Sequence, residues 1–351
     1  MAITNPLKGR GSQINPHNRF KKLSLDTHAE DGLDEPFEVD PRTQIVYDHP
    51  KKILTKNSSP DIPMDWSINP YQGCEHGCSY CYARNAHEYW GYSAGLDFER
   101  IIIVKENAAE LLEKELQKPN WKPVPLMFSG NTDCYQPLER KFEITRRCLE
   151  VLARYRHPVS LITKNQLILR DLDLLKALAE HDLVHVALSI TTLNEDLRRR
   201  MEPRTSPGLK RLEVVRKLSE AGIPVMAMLG PIIPGLNNHE IPEILEKAAE
   251  AGACSAGYNF VHLNGAVGGI FENWIRAHFP DRAEKVLSQI REAHGGKLND
   301  SRFGVRMRGE GAIADSISQL FKLSKRKYFQ GRSTPPYNLT AFRRPGQMSL
   351  F

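Results

Sequence analysis

Short apolar stretches alternate with amphipathic stretches between about residue 60 and residue 270 of the 351-residue chain. The apolar stretches are rich in β-branched residues, as strands are, and the amphipathic ones carry Leu and Ala at three- and four-residue spacing, as helices do. The predicted strands are 66–70, 125–129, 158–163, 184–190, 224–229 and 257–262. The predicted helices between them are 106–117, 143–155, 171–181, 209–222 and 240–252.

This alternation predicts an α/β fold. Five repeats of strand and helix call for parallel strands with right-handed crossovers, in an open sheet or in a barrel. Residues 1–60 are rich in Pro, Asn, Gly and charge with little periodicity, which predicts an extended N-terminal arm. We therefore expect a core over 61–270, a helical C-terminal extension over 271–330, and an irregular tail over 331–351 that contains three prolines.

The net charge of +6 lies at the two ends of the chain. Residues 1–25 carry five Lys or Arg and no acid, residues 26–40 carry seven acids and no Lys or Arg, and residues 316–351 carry seven Lys or Arg and no acid. The body, 41–315, is near +1 because 6 − 5 + 7 − 7 = 1. Basic ends on a neutral body suit a polyanionic partner such as nucleic acid, although solvated tails have the same composition.

No stretch approaches the roughly 20 apolar residues of a membrane span, and the first twenty residues lack the apolar run of a signal peptide. We therefore expect a cytoplasmic protein without a membrane partner. In a reducing cytosol a tight group of cysteines is more often a metal site than a disulfide framework.

Three of the six cysteines, Cys74, Cys78 and Cys81, lie within eight positions directly after the first predicted strand. Their spacing is C-x3-C-x2-C. A zinc site usually has four ligands, and His76 or His87 would supply the fourth. A four-iron cluster held by three thiolates leaves one iron open to a chelating small molecule. Spacing alone leaves both metals possible.

With the aromatic Tyr80 before its last cysteine, this motif resembles the signature of the radical S-adenosylmethionine (SAM) enzymes. The resemblance implies a [4Fe-4S] cluster with SAM chelated at the open iron, and a 5′-deoxyadenosyl radical that abstracts hydrogen from the substrate. It also implies an incomplete (β/α)6 TIM-like barrel, and a reductant such as flavodoxin or ferredoxin.

The resemblance extends to loops after later strands. Asn131 and Thr132 stand where most members have a Gly-Gly-Glu stretch that receives the methionine amino group, and Ser189 is placed to reach the ribose or carboxylate. Arg204 would pair with the carboxylate, and the loop from Gly230 to Gly235 would accept the adenine edge. The residues implied in cofactor binding are Tyr80, Asn131, Thr132, Lys164, Ser189, Glu202, Arg204, Gly230 and Gly235.

A geometric expectation stands beside the resemblance. In parallel α/β barrels the functional groups lie on the loops that leave the C-terminal ends of the strands. Six chemically useful residues each follow a different predicted strand, so we expect them to meet at one edge of the barrel. These residues are Cys74, Asn131, Lys164, Ser189, Gly230 and His262.

Within the superfamily, residues 62–270 resemble the spore photoproduct lyase-like group, often labelled DNA repair photolyase. The resemblance is carried by "SINPYQGCEHGCSYCYAR", "GNTDCYQPLE", "TKN" and "GPIIPG". It implies action on nucleic acid, DNA rather than RNA, in repair or damage tolerance. Cys134 would return hydrogen to the product, with Tyr258 and Tyr135 as other candidate donors.

Two competing hypotheses remain at this point. One is a radical enzyme that modifies RNA or a protein side chain, because such an enzyme would use the same cofactor residues. The other is a zinc-binding or clamp-associated adaptor without catalytic activity.

The last five residues, "QMSLF", resemble the peptide by which bacterial DNA-processing proteins dock on the sliding clamp. Leu350 and Phe351 would anchor in an apolar cleft, while Gln347 would make polar contacts. The basic residues upstream would contact phosphates. These residues are Lys325, Arg326, Lys327, Arg332, Arg343 and Arg344.

Overall fold

The structure is a computed structural model that describes residues 7–21 and 42–345. The acidic stretch 26–40 and the clamp-like residues Gln347, Leu350 and Phe351 lie outside the described residues. The strands are β1 Gln44–Tyr47, β2 Leu54–Lys56, β3 Trp66–Ile68, β4 Tyr71–Gln72, β5 Ile101–Val104, β6 Leu126–Phe128, β7 Val159–Thr163, β8 Val184–Ser189, β9 Val225–Ile232 and β10 Ser255–Phe260.

Helices alternate with the later strands, as their periodicity predicted. The α-helices are α1 Leu96–Arg100, α2 Ala108–Leu116, α3 Glu139–Phe142, α4 Ile144–Tyr155, α5 Leu172–Ala179, α6 Glu195–Met201, α7 Gly208–Glu220, α8 Ile241–Glu250, α9 Val267–His278, α10 Pro280–Ala293 and α11 Ala312–Tyr328. The 3-10 helices are Tyr82–Trp90, Gln166–Asp171, Asn238–Glu240 and Leu339–Ala341.

The main sheet has the strand order β10-β9-β8-β7-β6-β3-β2. Strands β3 and β6 to β10 run parallel to their neighbours, and β2 pairs antiparallel with β3 at the edge. The helices cover the sheet with apolar faces; α8, for example, buries Ile241, Ile244, Leu245 and Ala248 at the spacing of one helix face. This architecture confirms the predicted incomplete six-stranded barrel.

Side-chain contacts join the two ends of the sheet where the barrel is open. The Asn85 amide donates to the carbonyl of Asn264 at 2.8 Å and accepts from the backbone nitrogen of Ala266 at 3.1 Å. The ring of Tyr82 stacks on that of His262 with 6.2 Å between centroids. The segment after β3 is thereby fixed against the segment after β10.

A second sheet of three strands, in the order β1-β5-β4, lies beside the barrel. Strand β4 ends at Gln72. The cysteine loop, which we define as residues 73–81, follows it directly. The sequence indicated few regular elements before residue 60, whereas the structure has β1 and β2 there. The two strands have only four and three residues and are flanked by prolines and charged residues, so neither gives a run long enough to be recognised as a strand in the sequence.

Residues 7–21 pack against the cysteine loop. The buried carboxylate of Glu99 accepts from the backbone nitrogens of Gly11 at 3.1 Å and Ser12 at 2.7 Å, and from the Arg84 guanidinium at 2.5 Å. A Cβ atom at Gly11 would lie 1.7 Å from the carbonyl oxygen of Gly77, so this approach requires glycine. This part of the predicted arm is therefore built into the body of the protein.

The tail after α11 runs across the amino ends of the strands, opposite the edge where their carboxyl ends meet. The backbone nitrogen of Asn338 donates to the carbonyl oxygen of Asp182 at 3.0 Å, and that of Arg343 donates to the carbonyl oxygen of Tyr155 at 2.9 Å. Arg344 donates to the carbonyl of Lys118 at 2.7 Å. Among the described residues, no helix combines the length and the apolar character that crossing a membrane requires.

Replacing Gly11 by Ala should destabilise the protein, because the new methyl group overlaps the backbone of Gly77. We expect a loss of about 1–3 kcal/mol in the free energy of unfolding, as for other overpacked sites. Chemical denaturation followed by circular dichroism measures this change.

The matched control is Gly269→Ala in α9, where an added Cβ meets nothing within 4 Å. Because alanine favours an exposed helix, this variant should be unchanged or more stable by up to about 1 kcal/mol. Equal stability of the two variants would contradict the tight packing at Gly11.

Candidate cofactor and substrate site

A cavity of about 310 Å³ opens at the carboxyl edge of the barrel. Its lining includes a residue from the carboxyl end of each of the six parallel strands or from the segment after it, so the convergence expected from strand order is present. These residues are Cys74, Asn131, Lys164, Ser189, Gly230 and His262. Apolar side chains, among them Ile62, Met127, Ile162 and Met228, make up much of the remaining wall.

The cysteine loop presents all three of its cysteines to this cavity, and none of them forms a disulfide. The backbone nitrogen of Cys74 donates to Phe98 at 2.9 Å, and Arg84 Nε donates to the carbonyl of Cys78 at 2.9 Å. Gly77 adopts φ +65°, a left-handed conformation that favours glycine and turns the loop back. The loop is thus fixed by its backbone, which leaves the three sulfur atoms for a ligand.

The donor set of the loop suits a cluster. Burial raises the pKa of Cys74, Cys78 and Cys81, so their thiolate forms require nearby positive charge, which iron supplies. Within residues 7–21 and 42–345, no three His, Cys, Asp or Glu side chains converge closely enough to hold a single metal ion. Three thiolates that face one cavity can each bind a different iron atom of one cluster.

The two histidines that the spacing suggested as a fourth zinc ligand, His76 and His87, contact other side chains of the protein. His76 lines the cavity, but its Nδ1 lies 3.3 Å from the Asp133 carboxylate and its Nε2 lies 3.1 Å from the Asn165 amide. His87 is buried outside the lining and stacks on Tyr92 at 5.2 Å, and burial lowers its pKa to about 4.

The loop after β6 is bent sharply at Ser129, which has φ +67° although it is not glycine. Its hydroxyl accepts from the backbone nitrogen of Cys134 at 2.8 Å, which stabilises the bend. The Asn131 amide donates to Gln72 at 3.0 Å, and the Thr132 hydroxyl donates to the carbonyl of Tyr71 at 2.7 Å. Asn131 and Thr132 therefore donate hydrogen bonds to other protein groups, while their side-chain oxygens can still accept hydrogen bonds from a ligand.

Asp133 is a cavity residue that the sequence analysis did not single out. Its carboxylate accepts from the Thr163 hydroxyl at 2.8 Å and from the Lys164 backbone nitrogen at 2.9 Å, and it faces His76. Burial alone would raise the pKa of Asp133, but His76 and these hydrogen bonds lower it. The residue joins the loops after β3, β6 and β7, and its position directly after Asn131 and Thr132 was the available signal.

Lys164 reaches across the cavity from the end of β7. Its Nζ donates to the carbonyl of Gly230 at 3.1 Å and lies 3.7 Å from Glu202 Oε1. Glu202 is fully buried, accepts from the Tyr80 hydroxyl, and pairs with Arg211 at 2.5 Å. Burial opposes ionisation of Glu202, but Arg211 and Lys164 lower its pKa to about 2.

The cavity lining separates these residues by role. Lys164, Tyr80 and Gly230 line the cavity, whereas Glu202 lies behind the lining. Glu202 thus fixes the positions of Tyr80 and Lys164 from behind the cavity wall, and Arg211 neutralises the negative charge of Glu202.

Of the remaining predicted cofactor residues, one lines the cavity and two lie outside the lining. Ser189 lines the cavity, and its carbonyl accepts from Arg211 at 3.0 Å. Arg204 lies outside the lining and pairs with Glu75 at 3.3 Å. Gly235 also lies outside the lining, where it forms a turn with φ +77°.

None of the three candidate hydrogen donors lies in the cavity lining, and Tyr135 is fully buried with its hydroxyl donating to Asp171 at 3.1 Å. Cys134 is fully buried, which raises the pKa of its thiol, and its carbonyl accepts from Thr145 at 2.7 Å. Tyr258 packs on Phe321 of α11 with ring centroids 4.6 Å apart. Its neighbours Asn259 and Phe260 line the cavity, whereas the ring of Tyr258 is turned towards α11.

A loop over residues 299–311, which we call the mouth loop, borders the cavity. Met307 lines the cavity, and Arg306 pairs with Asp61 at 2.6 Å across the opening. Phe303 is 58% exposed, and Arg302 and Arg308 are also exposed. The loop has no helical or strand periodicity, so the sequence gave no sign that it lies beside the site.

Several cations of the C-terminal tail are instead engaged at the amino edge of the barrel. Lys325 donates to the carbonyl of Ala256 at 2.6 Å, Arg332 donates to that of Ala249 at 2.7 Å, and Arg344 donates to that of Lys118. These side chains cap backbone groups on the face opposite the cavity.

Sequence comparisons identify relatives of this chain. The family model of the radical SAM superfamily matches residues 68–248. An uncharacterised protein of Mycobacterium tuberculosis is 32% identical over 235 residues, which are 66% of this chain and 68% of that protein. The radical SAM Nalpha-GlyT isomerase of Pseudomonas phage M6 is 24% identical over 185 residues, which are 52% of this chain and 36% of that protein.

Among solved structures, a spore photoproduct lyase variant with bound AdoMet and dinucleoside spore photoproduct has a similar fold. The TM-score is 0.60 at 14% sequence identity, and the alignment covers 82% of this chain and 80% of the lyase. The family match makes the chain an enzyme, which removes the hypothesis of an adaptor without catalytic activity. The chain belongs to the radical SAM superfamily, whose enzymes use a [4Fe-4S] cluster and S-adenosylmethionine.

Proposed function

We propose that this radical SAM enzyme acts on nucleic acid, and on DNA in particular, in repair or damage tolerance. The observation that carries the proposal is the position of the mouth loop. The cavity that contains the three cysteines opens beside the exposed cation Arg308 and the exposed ring of Phe303. Arg302 is also exposed there, but it is paired with Asp300 at 2.5 Å and with Glu310 at 2.8 Å. Cations bind phosphates and aromatic rings stack on bases, so this border suits a nucleic-acid strand.

The similarity in fold supports the same substrate class. The spore photoproduct lyase structure contains a dinucleoside, and its fold matches this chain over four-fifths of each protein. The phosphate contacts that the sequence suggested for the tail belong, in this proposal, to the mouth loop. The reason is that Lys325, Arg332 and Arg344 donate to backbone carbonyls at the opposite face.

When bound, the cluster and SAM supply a 5′-deoxyadenosyl radical that abstracts hydrogen from the substrate. The side chains of this protein bind and orient the cofactor. Asn131 and Thr132 retain acceptor oxygens, which suit the amino group of methionine. Lys164 has the charge that suits the carboxylate, and Ser189 lies at the end of the neighbouring strand.

The apolar wall of the cavity excludes water from the reacting atoms. Ile62, Met127, Ile162 and Met228 line this wall and offer no acidic hydrogen or charge. A reactive radical intermediate is thereby protected from side reactions with solvent.

The return of hydrogen to the product needs a donor near the substrate. Cys134 is the candidate that the resemblance supplies, but its thiol is buried behind the lining. Donation by Cys134 therefore requires a rearrangement of the loop after β6. Tyr258 would need a larger change, because its strand turns it towards α11.

Replacing Lys164 by Met should weaken SAM binding, because the carboxylate loses a charged hydrogen-bond partner. Such a bond contributes about 1.5–3 kcal/mol, which corresponds to an increase of roughly tenfold to a hundredfold in Kd. Anaerobic equilibrium dialysis of the reconstituted enzyme measures the Kd. The control Lys285→Met alters an exposed residue of α10. An unchanged Kd for Lys164→Met with full iron content would remove Lys164 from the cofactor site.

The substrate class can be tested with a double variant of the mouth loop, Arg302→Gln with Arg308→Gln. If Arg308 contacts a phosphate, the slope of log K for double-stranded DNA against log salt should become shallower by about 1. The change should be about 2 if Arg302 also exchanges its partners Asp300 and Glu310 for a phosphate. Fluorescence anisotropy at several salt concentrations measures this slope, and a 5′-deoxyadenosine assay with irradiated DNA measures turnover.

The matched control is Arg326→Gln with Lys327→Gln, which removes two exposed cations of α11. We expect its DNA binding to be close to that of the unaltered enzyme. RNA binding that exceeds DNA binding, with product formed only from RNA, would favour an RNA-modifying enzyme. The same DNA-binding slope in both double variants would contradict a role for the mouth loop.

Deleting residues 347–351 should abolish binding to the bacterial sliding clamp while cofactor cleavage stays unchanged. The described part of the tail ends at the amino edge of the barrel, so a clamp held by the last residues would leave the cavity accessible. A pull-down with purified clamp, beside a 5′-deoxyadenosine assay, tests both statements. The double substitution Leu350→Ala with Phe351→Ala should have the same effect, and retained binding would exclude this partner.

A further inference from the structure

Three aromatic side chains lie exposed at the surface beside the cysteine loop. Tyr89 is 73% exposed, Phe20 is 52% exposed and Trp90 is 41% exposed. The rings of Phe20 and Tyr89 pack against each other with centroids 4.8 Å apart. We call these three residues, with the flanking Arg19 and Lys21, the aromatic face. Large exposed aromatic side chains in contact with one another are typical of interaction sites.

The aromatic face carries positive charge. The Arg19 guanidinium lies 4.8 Å from the ring centre of Phe20 and 5.7 Å from that of Tyr89, and Lys21 is exposed beside them. The neighbouring acid, Glu88, is buried and paired with Arg19 at 3.2 Å. An acidic partner with an apolar centre would complement this surface.

A series of packed rings leads from this face to the cysteine loop. Tyr92 lies two residues after Trp90, and its ring stacks on His87 at 5.2 Å. His87 makes an edge contact with Phe98 at 5.7 Å. Phe98 packs in one apolar cluster with Cys74, and its carbonyl accepts from the Cys74 backbone nitrogen at 2.9 Å. The Asn18 amide joins Tyr92 to the face, because it donates to the carbonyl of Tyr92 at 2.8 Å and to that of Glu88, which precedes Tyr89, at 2.9 Å.

The face is separate from the substrate cavity. Phe20, Tyr89, Trp90 and Tyr92 are all absent from the cavity lining. A protein bound to this face would therefore approach the cysteine loop from behind, while the mouth loop remained available to substrate.

We propose that the aromatic face docks a small acidic electron-carrier protein, of the flavin or iron–sulfur class. One electron leaves the carrier, which is oxidised by one electron, and enters the cluster, which is reduced by one electron. No bond in either protein is made or broken in this step. Electron-transfer encounters are small and electrostatically steered, which matches a compact apolar patch with cations at its edge. The proposal rests on the cluster of the superfamily and is independent of the nucleic-acid substrate.

The test compares the reconstituted enzyme with the double variant Phe20→Ala and Tyr89→Ala, and with the variant Lys21→Glu. Reduced flavodoxin is the probe, and two quantities are measured anaerobically. The first is the Kd for flavodoxin at several salt concentrations. The second is the rate at which flavodoxin bleaches the visible absorbance of the cluster, compared with the rate for dithionite.

We expect the double variant to raise the Kd at least about tenfold, as when aromatic anchors are removed from an interface. Lys21→Glu should weaken binding most at low salt, because salt screens the attraction. Reduction by dithionite should be unchanged, since this small reagent needs no docking surface. The matched controls are Tyr47→Ala, at a tyrosine that is 52% exposed on β1, and Lys285→Glu on α10.

Three outcomes would overturn the proposal. Unchanged flavodoxin binding in all of the variants would exclude the face as a docking site. Equal slowing with dithionite would mean that the substitutions act on the cluster itself. Loss of DNA binding with normal flavodoxin binding would assign the face to nucleic acid, whose bases also stack on aromatic rings. Failure of the nucleic-acid proposal would leave both measurements, the Kd for flavodoxin and the rate of cluster reduction, intact.

Discussion

The buried ion pair between Arg84 and Glu99 is the interaction on which the site depends. Both side chains are inaccessible to solvent, and their contact is 2.5 Å. Arg84 also donates to the carbonyls of Cys78 and Gly95, while Glu99 receives the backbone of the N-terminal segment at Ser12. Removing one partner of a buried pair typically costs about 3–5 kcal/mol, because the other charge is left unpaired. The pair thus links three segments of the chain: the cysteine loop, residues 7–21, and α1, which contains Glu99.

The parallel barrel divides the molecule into two functional edges. At the carboxyl edge, the loops after the six strands enclose the cavity, and buried groups such as Asp133 and Glu202 hold its polar side chains in place. At the amino edge, the basic tail caps backbone carbonyls and ends beside Lys118. The cavity and the described part of the basic tail therefore lie at opposite edges, and the proposed electron carrier would use a third surface near Tyr89.

Local patterns were sufficient to predict the barrel and the cluster-binding loop. The strand and helix periods persist over about 200 residues, and periodicity is the strongest signal of secondary structure in a sequence. Strand order then placed Asn131, Lys164 and Ser189 at one edge, because parallel strands all end there. The strands β1 and β2 escaped prediction because four and three residues between prolines and charged residues are too short to show a period.

The sequence by itself determined the fold class, the three cysteines and the loops that line the cavity, since each follows from spacing along the chain. Only the tertiary structure decided which side chains reach the cavity. Tyr258 and Asn259 are neighbours in sequence, yet the strand turns one towards α11 and the other towards the cavity. Glu202 and Arg211 neutralise each other behind the lining, and residues 7–21 close the back of the cysteine loop. Burial and charge pairing depend on contacts between distant segments, and no local pattern of residues encodes them.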